Sequence, residues 1–162
     1  MEWLEINFDK QERHIRASKM KTKADHIVPL CKQAINELKQ LPQLTGHREY
    51  VFPSARSPKR PMSDNAVLSA MRRLGIPKEK MTGHDFRAMA RTLLDEELGY
   101  RIEWIECQLA HAVKDANGRS YNRTTYLKQS KEMMQRWADY SDSLKAEAVN
   151  GNVIAGNFKQ GN

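Results

Sequence analysis

The stretch at residues 82–121 carries the side chains that could do chemistry on a phosphate group. His84 and Arg87 lie near its start, His111 follows, and Tyr121 is at its end. His84 and Arg87 are three residues apart, so on a helix they share one face. Thr82 is a good N-cap candidate, which would place both in the first helical turn, where free backbone N–H groups favour an anion. A guanidinium, two imidazoles and a phenol could therefore gather around one phosphate.

This set of side chains suits attack by a tyrosine on a phosphodiester. A phenol needs cationic surroundings to attack near neutral pH, because its free pKa is about 10. Arg87 offers a fork of donors that matches two phosphate oxygens, His111 can donate to the same oxygens, and His84 can act as base or donor. Attack by Tyr121 would give a 3′-phosphotyrosine and a free 5′ hydroxyl, and rejoining would need no ATP. Side chains handle the charge, so no metal ion or cofactor is expected.

The order of the motifs is more specific than any one of them. T-G-H-D-F-R at 82–87, Q-L-A-H at 108–111 and Y-N-R at 121–123 precede M-M-Q-R-W-A-D-Y at 133–140. Over roughly residues 3–144, the chain resembles the catalytic domain of tyrosine recombinases, in the integrase branch of satellite phages and genomic islands.

The resemblance implies a fold class, a reaction and partners. The fold would be α+β, mostly α, with a small antiparallel β-sheet. The function would be site-specific recombination of duplex DNA at attachment sites, as in prophage integration and excision. A homo-oligomer on DNA, a tetramer in this family, and accessory DNA-bending proteins are the implied partners.

The resemblance also implies a lysine on a β-hairpin that acts as general acid toward the leaving 5′ oxygen. In this branch the hairpin reads M-K-x-x-x-x-H-I-V-P-L, which here is 20–30, so Lys21 matches by position. Lys19 and Lys23 on the same turn remain alternatives.

Two tyrosines lie near the expected position of the nucleophile. The family motif Y-N-R selects Tyr121, and its ten-residue spacing from His111 agrees. Tyr126 remains an alternative, although it also fits the apolar stripe of the last predicted helix.

The family has one more catalytic arginine, with an acidic residue three positions later, upstream of Trp3. Arg13 and Arg16 lie in the wrong segment to replace it. We therefore expect an N-terminally truncated catalytic domain at 1–145 and a flexible tail at 146–162. This fragment would bind DNA weakly by itself and would not recombine it.

Charge distribution agrees with a polyanionic partner. The 162 residues carry a net charge of +7. Six basic residues and one acid lie at 10–23, and seven basic residues and two acids lie at 56–80, whereas acids cluster at 95–97. A separate basic face favours DNA binding over a uniformly charged surface.

Composition limits the class of protein. The chain is long enough for one domain with a real core. No run approaches the ~18 apolar residues of a membrane span, and the N-terminus lacks the apolar stretch of a signal peptide. Two distant cysteines do not suggest a disulfide framework, which favours the cytoplasm.

The periodicity of apolar residues predicts the elements that must position these side chains. Strands are predicted at 3–8, 13–17 and 25–30, with a further short strand at 50–52. Helices are predicted at 31–41, from Ser63 to Gly75, from Thr82 to about residue 99, at 102–110 and at 122–144.

Three other interpretations remain open from the residues alone. The first is a non-catalytic DNA-binding module derived from an integrase, which the missing arginine motivates. The second is a zinc site, because Cys107 and His111 are i and i+4 on a helix, with Cys31 and His26 as further ligands. The third is a structural α/β domain with a fortuitous motif set.

Overall fold

The computed structural model describes residues 1–111 and 126–151. These residues form a three-stranded antiparallel sheet, helices and two short 3-10 turns, which confirms the predicted α+β, mostly helical class. The strands are β1 Ile6–Asn7, β2 Glu12–Ile15 and β3 His26–Pro29, in the order β1-β2-β3, and the 3-10 turns are Trp3–Glu5 and Ala17–Lys19. The helices are α1 Lys32–Gln40, α2 Pro42–Thr45, α3 Asn65–Arg73, α4 Gly83–Glu96, α5 Ile102–Gln108 and α6 Leu127–Val149. None of the described helices has the length and apolarity needed to cross a membrane.

The first predicted strand, at 3–8, is shorter in the structure because its first half is a 3-10 turn. Glu5 turns inward to a position where only 7% of its surface is exposed. Its carboxylate accepts hydrogen bonds from the backbone N–H of Glu2 (3.2 Å), from Arg13 Nε (3.0 Å) and from Lys19 Nζ (2.7 Å). These bonds satisfy the buried charge and fix the turn, so the extended chain begins only at β1.

The segment predicted as a strand at 50–52 forms an isolated bridge instead, and a second bridge follows it. Glu2 pairs with Tyr50 and Pro53 pairs with Pro61. Val51 is buried, with 1% of its surface exposed. The apolar pattern therefore predicted the burial of Val51 correctly. The prolines that follow prevent this segment from pairing as a regular strand.

The main hydrophobic core lies between α4, α5 and α6. Leu94, Ile105 and Met133 are its buried centre. Leu98, Tyr100, Trp104, Leu109 and Trp137 pack against it. The stripes predicted for these helices supply this core, but three of their predicted members are exposed: Phe86 (43%) on α4, Ile102 (46%) at the start of α5 and Leu144 (43%) on α6.

Ile105→Ala should lower the free energy of unfolding by about 2–5 kcal/mol, because it leaves a cavity at a fully buried position. Ile102→Ala is the matched control on the same helix, and its exposed side chain predicts a loss below about 1 kcal/mol. Urea denaturation of the two variants measures both values. Equal losses would contradict the core assigned here.

Helix α6 is held against the sheet and α1 by polar contacts. Lys131 Nζ lies 2.7 Å from Glu12 Oε1 on β2, and the backbone N–H of Lys32 donates to Gln135 Oε1 at 2.9 Å. The helix ends at Val149, beyond the predicted end at 144. Residues 122–125 of the predicted helix lie outside the described residues.

Candidate functional site

The N-terminus of α4 lies where the sequence predicted it. The backbone N–H of Thr82 donates to Asp85 Oδ2 at 2.7 Å, and the Thr82 hydroxyl donates to the same oxygen at 2.9 Å. These hydrogen bonds lower the pKa of Asp85. The capping contacts fix the first turn of the helix. His84 therefore lies exposed in that turn, three residues before Arg87.

The loop that leads into α4 is held by an arginine from α3. Arg72 donates through Nη1 to the carbonyl of Ile76 (2.5 Å) and through Nη2 to the carbonyl of Met81 (2.9 Å). Gly75 ends α3 with a φ of 81°, a conformation that suits glycine. Arg72 thus belongs to the scaffold of the site, although the charge distribution predicted it on the basic face.

Arg87 and His111, which are far apart in the sequence, meet at the C-terminal end of α5. Arg87 Nη2 lies 3.1 Å from His111 Nε2 and also donates to the carbonyl of Leu109. Both side chains remain accessible to solvent. A guanidinium fork and an imidazole therefore share one exposed corner, as the sequence predicted for Arg87 and His111.

A left-handed residue brings His111 into this corner. Ala110 has a φ of 58° directly after α5. The backbone N–H of His111 then donates to the carbonyl of Glu106 at 2.9 Å, and that of Ala110 donates to the carbonyl of Cys107 at 3.1 Å. This turn reverses the chain over the last turn of the helix, as in other left-handed helix ends.

Two residues that were not among the predicted site residues, Arg91 and Glu106, complete the corner. Glu106 Oε1 lies 2.6 Å from Arg91 Nε, and Glu106 Oε2 accepts a hydrogen bond from His111 Nδ1. Partial burial raises the pKa of Glu106, but the hydrogen bonds from Arg91 and His111 outweigh burial and hold the pKa below its usual value. For Arg91, the signal in the sequence was its i, i+4 spacing from Arg87 on α4, which puts both arginines on one face of the helix.

The lysines of the β2–β3 connection differ in their partners. Lys19 Nζ lies 2.7 Å from Glu5 Oε1 and also pairs with Glu2, and hydrogen bonds to these carboxylates raise the pKa of Lys19. Lys21 and Lys23 lie exposed further along the turn. Lys19 therefore has a structural role in holding the first 3-10 turn.

The β-hairpin is joined to the corner through His26 at the start of β3. Its Nε2 donates to the carbonyl of Gln108 at 3.3 Å, next to the end of α5. His26 is buried. This contact holds the β2–β3 connection, which carries Lys21, next to the end of α5, which leads to His111.

Tyr121 lies outside the described residues. Tyr126, the alternative nucleophile, packs its ring against Trp104 with a centroid distance of 6.3 Å. Trp104 in turn lies 6.3 Å from the ring of Tyr100. Tyr126 is thus part of an aromatic cluster where α5 meets α6.

The zinc interpretation gains no support from the described residues. Within 1–111 and 126–151, no group of three His, Cys, Asp or Glu side chains is arranged to hold a metal ion. Cys107 is buried, while His111 Nδ1 faces Glu106.

A short basic loop is closed by the bridge between Pro53 and Pro61. The backbone N–H of Ser54 donates to the carbonyl of Arg60 at 2.8 Å, and that of Met62 donates to the carbonyl of Phe52 at 2.8 Å. Arg56, Lys59 and Arg60 are exposed on it. This loop supplies part of the basic surface that the charge distribution predicted.

Comparison with known proteins gives a family match over most of the chain. The model of the phage integrase family matches residues 1–146. The prophage integrase IntA of Escherichia coli K12 is 42% identical over 152 residues, which are 94% of this chain and 35% of that protein. Prophage integrase IntZ of the same strain is 40% identical over 152 residues (94% and 37%), and the integrase of Enterobacteria phage P4 is 36% identical over 166 residues (94% and 38%). The chain thus spans little more than a third of these relatives. No solved structure matches.

Proposed function

This chain belongs to the phage integrase family, and from that premise we propose that it forms the catalytic part of a site-specific recombinase acting on duplex DNA. The contact between Arg87 Nη2 and His111 Nε2 at 3.1 Å carries the proposal. A guanidinium and an imidazole at one exposed corner, close to the first turn of α4, are the kinds of group that can stabilise a pentacovalent phosphate.

Each side chain has one role in the proposed reaction. Arg87 binds two non-bridging oxygens of the scissile phosphate, and His111 donates through Nε2 to the same group. His84 takes the proton of the Tyr121 hydroxyl as the phenol oxygen attacks phosphorus. The bond from phosphorus to the 5′ oxygen breaks, Lys21 protonates that oxygen, and a 3′-phosphotyrosine remains.

The substrate follows from the charge and the names of the relatives. The net charge is +7, with exposed cations on the loop after Val51 and on the β2–β3 connection. Relatives named integrases and prophage integrases support attachment sites as the DNA target. We propose that the protein works as a homo-oligomer on this DNA in the cytoplasm, together with accessory DNA-bending proteins.

The test is covalent capture of DNA by the natural gene product that contains these 162 residues. That form is used because the 162 residues span little more than a third of the relatives they match. The substrate is nicked duplex DNA from the region flanking the gene. We expect a protein–DNA adduct that resists detergent, and a free 5′ hydroxyl that a polynucleotide kinase labels without prior dephosphorylation. DNA binding without an adduct would instead favour the non-catalytic DNA-binding module.

Replacing Lys21 tests the general acid. Lys21→Ala should slow cleavage by about 10²-fold or more, the lower range for a positioned acid. The loss should largely disappear on a substrate whose 5′ bridging oxygen is replaced by sulfur, because a thiolate leaves without a proton. Single-turnover cleavage of the two substrates measures the rescue.

Lys23→Ala is the matched control on the same exposed turn. It removes the same charge and should cleave both substrates at the original rates. Rescue by sulfur in Lys23→Ala but not in Lys21→Ala would transfer the role of general acid to Lys23.

A further inference from the structure

We propose that Glu106 is the positioning residue of this site, which sets the tautomer and the orientation of the His111 ring. The inference rests on the proposed function for its catalytic consequence, but the positioning itself can be measured without DNA.

The hydrogen-bonding partners of His111 define its tautomer. Glu106 Oε2 faces Nδ1, and an ionised carboxylate only accepts hydrogen bonds, so Nδ1 carries the proton. Arg87 Nη2 faces Nε2 at 3.1 Å, and a guanidinium only donates, so Nε2 presents its lone pair. The two neighbours therefore select the same neutral form of the ring, with the proton on Nδ1.

Glu106 can hold the ring firmly because its other oxygen is held as well. Arg91 Nε lies 2.6 Å from Glu106 Oε1 and comes from α4, the helix that also carries Arg87. The carboxylate thus joins α4 to the turn after α5. Since the Glu106 side chain is only 20% exposed, water competes little for these oxygens.

The same carboxylate serves His111 when DNA is bound. To donate from Nε2 to a phosphate oxygen, the ring must take up a second proton from solvent. Glu106 then offsets the positive charge of the imidazolium while keeping Nε2 directed at the corner shared with Arg87. This arrangement of a carboxylate behind a working imidazole is a general means of orienting histidine.

Glu106→Gln tests the inference with almost no change in shape. Both neighbours of Glu106 are donors, and an amide has only one oxygen. The NH₂ group of glutamine must therefore face either Arg91 or His111. The oxygen should face Arg91, because a guanidinium only donates whereas an imidazole can change its tautomer. The NH₂ group then faces His111, and the ring loses its selected tautomer and takes the form with the proton on Nε2.

The control is Glu103→Gln on the same helix. The Glu103 carboxylate also pairs with an arginine, since Arg101 Nε lies 3.2 Å from its Oε2. It is more exposed than that of Glu106 and belongs to a separate ion pair. This variant makes the same chemical change outside the corner.

Two measurements separate positioning from a general loss of structure. In long-range ¹H–¹⁵N spectra of the DNA-free 162-residue chain at a pH of about 8.5, where an ordinary imidazole is neutral, His111 should show Nδ1 as the protonated nitrogen. Glu106→Gln should increase the Nε2-protonated form, and Glu103→Gln should not. In the natural gene product, Glu106→Gln should lower the cleavage rate of bound DNA by about 10- to 100-fold without weakening DNA binding.

The outcomes distinguish this inference from the proposed function. An unchanged His111 tautomer in Glu106→Gln, or unchanged cleavage by that variant in an active enzyme, overturns the role of Glu106. If the unmodified gene product forms no adduct with DNA, the proposed function fails, whereas the spectra still decide whether Glu106 sets the ring.

Discussion

Tyr121→Phe is expected to abolish the covalent attachment of the protein to DNA while leaving DNA binding nearly intact. The substitution removes only the hydroxyl that attacks phosphorus. Loss of a nucleophile lowers the chemical step by about 10⁴-fold or more, whereas the ring and the basic surface stay in place. The detergent-resistant adduct of the natural gene product measures the first effect, and a DNA titration at fixed salt measures the second.

Tyr126→Phe is the control, because its ring can keep the contact with Trp104 at a centroid distance of 6.3 Å. This variant should form the adduct as the unmodified protein does. Trypsin separates the two candidates: Tyr121 falls in the peptide S-Y-N-R at 120–123, and Tyr126 falls in T-T-Y-L-K at 124–128. A nucleotide linked through phosphate to the second peptide would show that Tyr121 is not the nucleophile.

Local signals in the sequence predicted the helices that carry the site. The start of α4 follows from Thr82 and Asp85, whose capping contacts span four consecutive residues. The end of α3 follows from Gly75, whose positive φ suits glycine. Such features are readable because the residues that determine them are close in the sequence.

Features that depend on distant partners were not predictable in this way. The 3-10 turn at Trp3–Glu5 interrupts the predicted strand because Glu5 is buried by contacts with Arg13 and Lys19. Alternating polarity at 3–8 cannot reveal that the Glu5 carboxylate will bind two cations from later segments of the chain. The exposure of Ile102 likewise depends on where the core of the helices ends.

The site was predicted in part for the same reason. The order of the motifs suggested that Arg87 and His111 gather around one phosphate, and the structure brings the two side chains together. Glu106 was missed because its contact with His111 requires the left-handed turn at Ala110 and the packing of α4 against α5. The charge pattern alone does not distinguish Glu106 from other glutamates on the helices.

Arg87→Lys should reduce cleavage by about 10²-fold or more, the scale of losing one donor to a transition state. Lysine keeps the positive charge but has a single ammonium instead of a planar fork. In the structure one nitrogen of Arg87 reaches both the carbonyl of Leu109 and Nε2 of His111, so the guanidinium is held at the corner before DNA arrives. A flexible lysine lacks this preorganisation and cannot bind two phosphate oxygens in parallel.

Binding and chemistry should respond differently to this substitution. Because the charge is kept, the salt dependence of DNA affinity should be unchanged. Arg101→Lys is the matched control: Arg101 is an exposed arginine paired with Glu103, and its replacement should alter neither affinity nor cleavage. Single-turnover cleavage with saturating protein measures the chemical step of both variants. Near-normal cleavage by Arg87→Lys would place Arg87 outside the phosphate site. A residue that binds the scissile phosphate through two parallel hydrogen bonds cannot be replaced by a point charge without a loss of cleavage rate.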